Sequence, residues 1–170
     1  MKQNRENPFF ETYRTPFGTP PFDQIKTEQY EPAFDEGIRQ LDKEVRAIAD
    51  NTELPTFENT IVALERSGKL LDKVSSAFFN VLNAEADDEM MDISQRVSPK
   101  LSESSNNIYL NEQLFARVKS VYDRKEELHL PTEDARLLEE TFEAFCVRGA
   151  ALGPEEKEKY RKLSSELSLL

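Results

Sequence analysis

Apolar residues recur along most of this chain with the period of an α-helix. Tyr30, Phe34, Ile38, Leu41, Val45 and Ile48 step by 4, 4, 3, 4 and 3 residues, which lays them along one helix face. Pro32 falls in the first turn, where its missing N–H costs little, and Asn51 and Pro55 end the segment. Thr56 is placed to cap a second helix. Its stripe is Phe57, Ile61, Leu64, Leu71, Val74, Phe78 and Val81, and it ends near residues 83–86. Gly68 lies in the gap between Leu64 and Leu71, where a glycine costs about 1 kcal/mol against alanine. Close approach of another helix would offset that cost; the alternative is a tolerated blemish. Asp87 or Asp88 opens a third helix, with Met90, Ile93, Val97, Leu101 and Ile108 inward and Pro99 expected to kink it. Asn111 caps a fourth, carrying Leu114, Phe115, Val118, Val121 and Tyr122. Pro131–Thr132 begins a fifth, with Glu133 and Asp134 suited to the positive end of the helix dipole and Leu138, Phe142 and Phe145 as its stripe. Gly153–Pro154 starts a sixth, with Tyr160, Leu163, Leu167 and Leu170.

No stretch alternates with period two over the length of a strand, and no Asn-Gly or Asp-Gly hairpin turn is present. The expected fold class is therefore all-α, a multi-helix bundle of about six helices preceded by an extended arm rich in proline and phenylalanine. The arm occupies residues 1–26, where Pro8, Pro16, Pro20 and Pro21 deny a helix. Phe9, Phe10, Tyr13, Phe17 and Phe22 suit it to plug into a folded body; a floppy leader is the other reading. Residues 27–170 form the helical domain. Its last stripe reaches Leu170 without a Gly or Asn stop, so the chain is expected to be cut before a further domain.

Charge narrows the partners. Hydrophobic residues make up 38% and charged residues 32% of the 170, with a net charge of −11. That composition suits a globular helical protein, and the sign disfavours nucleic acid and anionic membrane surfaces as partners. No run of 18 apolar residues offers a membrane span. One cysteine, Cys146, rules out an internal disulfide, and beside Phe142 and Phe145 it is expected to be a buried, inert thiol. With no apolar leader at the start, a cytoplasmic location is expected.

Candidate chemistry is sparse. A catalytic zinc needs three protein ligands, and the chain offers one histidine, His129, and one cysteine. His129 sits in the turn before Pro131 and is expected at the surface or in a cap. Adjacent acids such as Glu139–Glu140 and Glu155–Glu156 point about 100° apart on a helix and make no local acid–base pair. No metal or cofactor is expected to be bound by this chain, and no catalytic residue is assigned.

Several strings resemble one family. Pro55-Thr56-Phe57-Glu58-Asn59-Thr60-Ile61 followed by Ala63-Leu64-Glu65-Arg66-Ser67-Gly68 looks like the thimet-oligopeptidase-like family of zinc metallopeptidases. Pro21-Phe22-Asp23-Gln24-Ile25-Lys26, Asn111-Glu112-Gln113-Leu114-Phe115 and Leu152-Gly153-Pro154-Glu155-Glu156-Lys157 fit the same family in order and spacing. Phe78-Phe79-Asn80 and Ile108-Tyr109-Leu110-Asn111 resemble its bacterial peptidyl-dipeptidase branch. The resemblance implies an all-helical clamshell whose zinc is held by a His-Glu-x-x-His motif and a later glutamate, none of them in this sequence. It implies that this chain walls one side of a deep channel for short peptides, that the missing catalytic domain is its partner, and that the intact enzyme removes carboxy-terminal dipeptides. Phe79, Asn80 and Asn83 are then the candidate substrate-channel residues; helix-end residues meeting water are the alternative. Thr27-Glu28-Gln29-Tyr30 and the acidic residues 84–88 depart from the family pattern. Another function stays open: a free-standing helical interaction or scaffold module, self-associating through the last helix's stripe.

Overall fold

The computed structural model describes residues 7–85 and 87–168. Helices account for the regular structure, and no strand occurs among the described residues. They are α1 (Tyr30–Ala49), α2 (Ala63–Glu65), α3 (Lys69–Glu85), α4 (Asp88–Tyr109), α5 (Glu112–Tyr122), α6 (Lys125–Leu128), α7 (Thr132–Val147) and α8 (Pro154–Leu167). A π-helical turn, Phe57–Val62, leads into α2. The short α6 was not foreseen.

Local signals set the helix starts. Thr56 Oγ1 accepts the Asn59 N–H at 3.1 Å, Asp87 Oδ1 accepts that of Met90 at 2.8 Å, and Asn111 Oδ1 accepts that of Leu114 at 2.9 Å. Each satisfies a donor that the first turn leaves without an intrahelical partner. α4 runs on through Pro99 as one element. The expected single helix from Thr56 to about residue 83 is instead two. Gly68 adopts φ +75° between α2 and α3, a left-handed conformation that costs glycine little and other residues more. Leu64 and Leu71 are seven residues apart, two helical turns, so the stripe alone hides the break. Leu170 and Ala86 lie outside the described residues.

The chain divides into two compact units. The first comprises residues 1–41 and 68–100, the second residues 42–67 and 101–170. α1 and α4 each supply residues to both.

In the first unit, Phe9, Tyr30, Ala33, Phe34, Val74, Ala77, Phe78, Met90, Ile93 and Val97 are buried. Phe78 is the hub, with the rings of Tyr30, Phe34 and Phe79 edge-on at 5.1, 5.3 and 5.2 Å. Such pairs add about 0.5–1.5 kcal/mol each beyond their buried area. The close helix approach occurs at Gly37 of α1. A Cβ there would lie 3.0 Å from Leu71 Cα and 3.1 Å from Leu71 N of α3. On the outer side, Lys100 reaches Asp35 at 2.6 Å, and Arg96 reaches Glu31 at 3.0 Å.

The arm is less extended than expected. Prolines place 3₁₀ turns at Pro8–Phe10 and Pro16–Gly18, separated by extended residues. Its aromatics divide. Phe9 is buried against Tyr30 at 5.2 Å, whereas Phe17 and Phe22 are exposed.

In the second unit, Val45, Ile48, Phe57, Ile61, Leu110, Leu114, Val118, Val121, Leu138 and Phe145 are buried. Tyr122 stacks on Phe142 at 3.9 Å. α8 joins its unit through a polar face. Lys157 meets Glu112 at 3.1 Å, Arg161 donates to Asn107 at 3.0 Å, and Ser164 exchanges hydrogen bonds with Asn106 at 3.3 Å. Its apolar residues Leu163 and Leu167 are exposed.

Gly37→Ala tests the close approach. On an exposed helix this change stabilises by about 1 kcal/mol. Here the obstacle is backbone, which yields little, so a net loss of about 1–3 kcal/mol is expected in thermal unfolding. Stabilisation would show that the two helices have room to separate.

Candidate functional site

α3 carries the candidate patch on one flank. Val74, Ala77 and Phe78 face the first unit's core, and Asp72, Ser76, Asn80 and Asn83 lie exposed. Asn80 and Asn83 are three residues apart and share that exposed stripe. Asn80 Nδ2 donates back to the Ser76 carbonyl at 2.7 Å, which leaves further carboxamide capacity for a partner. Phe79 is turned away. It is half-buried, with its ring 6.3 Å from Phe34 and 5.2 Å from Phe78. The structure thus groups the two asparagines and gives Phe79 to the aromatic cluster. An exposed pair of carboxamides can donate to and accept from a peptide backbone.

The same helix borders a cleft of about 750 Å³, lined by arm residues Phe9 to Tyr13, by Glu36 and Gln40 of α1, and by Lys69, Leu70 and Lys73 of α3. Lys73 and Asn80 are seven residues apart, so they lie on the same flank of α3. Lys73 Nζ donates to the carbonyls of Phe9 at 2.9 Å and Glu11 at 2.6 Å, and sits 3.7 Å from the centre of the Tyr13 ring. Two carbonyls and a ring face engage an ammonium with three donors. Burial lowers the Lys73 pKa, and nearby Glu11 opposes that shift. Burial, with a smaller contribution from Tyr30, pushes the Tyr13 hydroxyl up to about 12. That hydroxyl is buried and finds no hydrogen-bond partner among the described residues. Hydrogen bonds from Arg39, then Gln40, hold Glu36 down at about 2, and the Arg39 guanidinium pairs with its carboxylate at 2.6 Å.

A second cation organises the other unit. Arg117 of α5 is buried. Its Nη1 donates to the carbonyls of Asn51 at 2.6 Å and Glu53 at 3.0 Å, and its Nη2 to Asn59 Oδ1 at 3.0 Å and Thr60 Oγ1 at 3.3 Å. Arg124 adds a bond to the Pro55 carbonyl at 2.6 Å. The polar residues of the Pro55–Ile61 string therefore act in holding the loop: Thr56 and Asn59 form a reciprocal cap, and Asn59 and Thr60 accept from Arg117.

Neither Lys73 nor Arg117 was picked out from the sequence, yet a signal exists. Arg117 lies inside the apolar stripe of Leu114, Val118 and Val121 in α5, and Lys73 at the edge of that of Leu70, Val74 and Ala77 in α3. A basic residue at that spacing is carried toward the interior and needs acceptors there.

Residues with metal-binding chemistry stay apart. His129 is exposed and ends α6 in a left-handed conformation, φ 47°, as a cap residue would. Cys146 is exposed, not buried as expected. It follows Phe145, which takes the inward position, and a step of about 100° turns the thiol to solvent. Among the described residues no group of three or more His, Cys, Asp or Glu side chains is placed to hold a metal ion. The described residues offer no set of ligands for zinc, and no catalytic step is assigned to them. No helix among the described residues is long and apolar enough to cross a membrane.

No family model matches the chain. It is 44% identical to the dipeptidyl carboxypeptidase of Escherichia coli strain K12 over 164 residues, covering 96% of this chain. The similarity to dipeptidyl carboxypeptidases thus runs along nearly the whole of this chain. The dipeptidyl carboxypeptidase of Salmonella typhimurium is 40% identical over the same length, and the more distant oligopeptidase A of E. coli is 23% identical over 156 residues. The chain spans about 24% of the length of the dipeptidyl carboxypeptidases it matches.

Lys73→Met tests the hold on the arm. Loss of two charge-assisted hydrogen bonds should cost about 1–3 kcal/mol in thermal unfolding and open residues 11–20 to limited proteolysis. An unchanged cleavage pattern would show that Phe9 alone seats the arm.

Proposed function

We propose that this chain is the non-catalytic amino-terminal helical segment of a zinc peptidase that removes carboxy-terminal dipeptides from short peptides. The observation that carries this reading is the 44% identity across 96% of the chain to a dipeptidyl carboxypeptidase. The zinc and the residues that activate water belong, on this reading, to the catalytic domain beyond this chain. The exposed flank of α3, with Asn80 and Asn83, forms part of the wall that short peptides meet. Carboxamides suit that task because they bind backbone amides without selecting a side chain. A net charge of −11 disfavours nucleic acid and anionic membrane as partners, and a single unpaired cysteine suits the reducing cytoplasm.

Exposed Leu163 and Leu167 favour a second behaviour for the isolated chain, self-association at high concentration. Sedimentation velocity over a concentration series checks it; a monomer throughout would remove it.

The test of the main reading uses the intact protein and a blocked short peptide. Mass spectrometry should find the carboxy-terminal dipeptide released, with activity lost on chelation and restored by zinc. The 170-residue chain alone should release nothing above background. Asn80→Ala with Asn83→Ala in the intact protein should raise KM severalfold at unchanged zinc content. Absence of dipeptide release by the intact protein overturns the proposed activity. Unchanged KM removes α3 from the channel wall.

A further inference from the structure

The turn at Thr15–Thr19 is braced on itself. The Gly18 N–H donates to the Thr15 carbonyl at 3.0 Å, the Thr19 N–H to the Pro16 carbonyl at 3.4 Å, and Thr19 Oγ1 to the Pro16 carbonyl at 3.1 Å. Thr15 Oγ1 closes the loop onto the Thr19 carbonyl. At its apex Phe17 takes φ 60° and ψ 13°, followed by Gly18 at φ 67°. Successive left-handed residues are the geometry of a turn that favours glycine or asparagine. A phenylalanine there is strained, because its Cβ crowds the backbone.

Its side chain gains nothing in return within the described residues. Phe17 is 104% exposed. Nor does the surrounding sequence look like a solvated tip. From Thr15 to Phe22 the residues are TPFGTPPF, with no charge in a chain that is 32% charged. Strain and full exposure of an aromatic ring are both unfavourable here; the exposure ends if the ring enters an apolar pocket elsewhere, and that burial offsets a strain which the braced turn retains. A braced, proline-flanked turn loses little freedom on docking, so the ring is presented in advance. Single buried aromatics in such pockets are typical binding anchors.

We propose that Phe17 is a preformed anchor that seats in an uncharged apolar pocket of the remaining polypeptide of the intact peptidase. This rests on the functional reading above. On that reading about three quarters of the polypeptide lies outside this chain, since the chain spans 24% of its dipeptidyl carboxypeptidase relative. That remainder is attached to the chain and present at high effective concentration. A second copy of this chain is the competing occupant, and it would bring another −11 charge.

Phe17→Asn separates these cases, because asparagine tolerates the left-handed turn and removes the ring. In the 170-residue chain it should raise the unfolding midpoint by about 2–4 °C through relief of strain. In the intact protein it should lower the midpoint and expose residues 15–19 to proteolysis. A shift of the same sign in both proteins, or no shift in the intact one, would overturn the proposal. So would a dimer of the 170-residue chain, in sedimentation velocity, that Phe17→Asn abolishes. Wild-type intact protein is assayed for dipeptide release in parallel. If release is absent while the opposite shifts appear, the functional reading fails and the anchor stands.

Discussion

The contact of Gly37 with the backbone of Leu71 fixes how deeply α3 lies against α1. With 3.0 Å left to the Leu71 Cα for any added Cβ, the two helices pack backbone to backbone. That depth lets Phe34 and Phe78 meet edge-on, and Phe78 in turn seats Tyr30 and through it Phe9. It also sets which flank of α3 remains outside. Lys73, Asn80 and Asn83 project where they do because Val74, Ala77 and Phe78 are held inward at that depth. The placing of that flank thus follows from one position without a side chain.

Irregular backbone is held in each unit by a cation sent from a helix. Arm carbonyls at Phe9 and Glu11 and loop carbonyls at Asn51 and Glu53 lack regular partners, and unpaired backbone groups are costly once buried. Lys73 and Arg117 supply the donors. Lys73 Nζ and both Arg117 Nη atoms are thereby engaged in holding the fold. On α3 the carboxamides of Asn80 and Asn83 remain outward beside Asp72 and Ser76.

Much of this was legible in the sequence, and the misses share a cause. Caps at Thr56, Asp87 and Asn111 act within three residues, so local reading finds them. Helical stripes placed the apolar faces of α1, α3, α4, α5 and α7 correctly because burial follows the helical period. The break at Gly68 was hidden by two intact turns of spacing between Leu64 and Leu71. Cys146 was misjudged by its neighbour Phe145, although one residue along a helix is a different face. Gly37, Lys73 and Arg117 escaped because their partners lie far along the chain; Lys73 is 64 residues from Phe9, and Arg117 is 66 from Asn51. Asn80 and Asn83 were picked out as polar residues ending an apolar helix, and they do share an exposed stripe. Phe79 was grouped with them by adjacency, and its ring belongs to the cluster around Phe78.

The claim that α3 presents a peptide-facing flank is open to a direct measurement. A short peptide bearing a photoreactive group can be bound to the intact protein, irradiated, and its adducts mapped by mass spectrometry. Adducts on residues 76–85 of α3, competed away by unlabelled peptide, are expected. Competable adducts found only on residues outside this chain would contradict a wall built from α3.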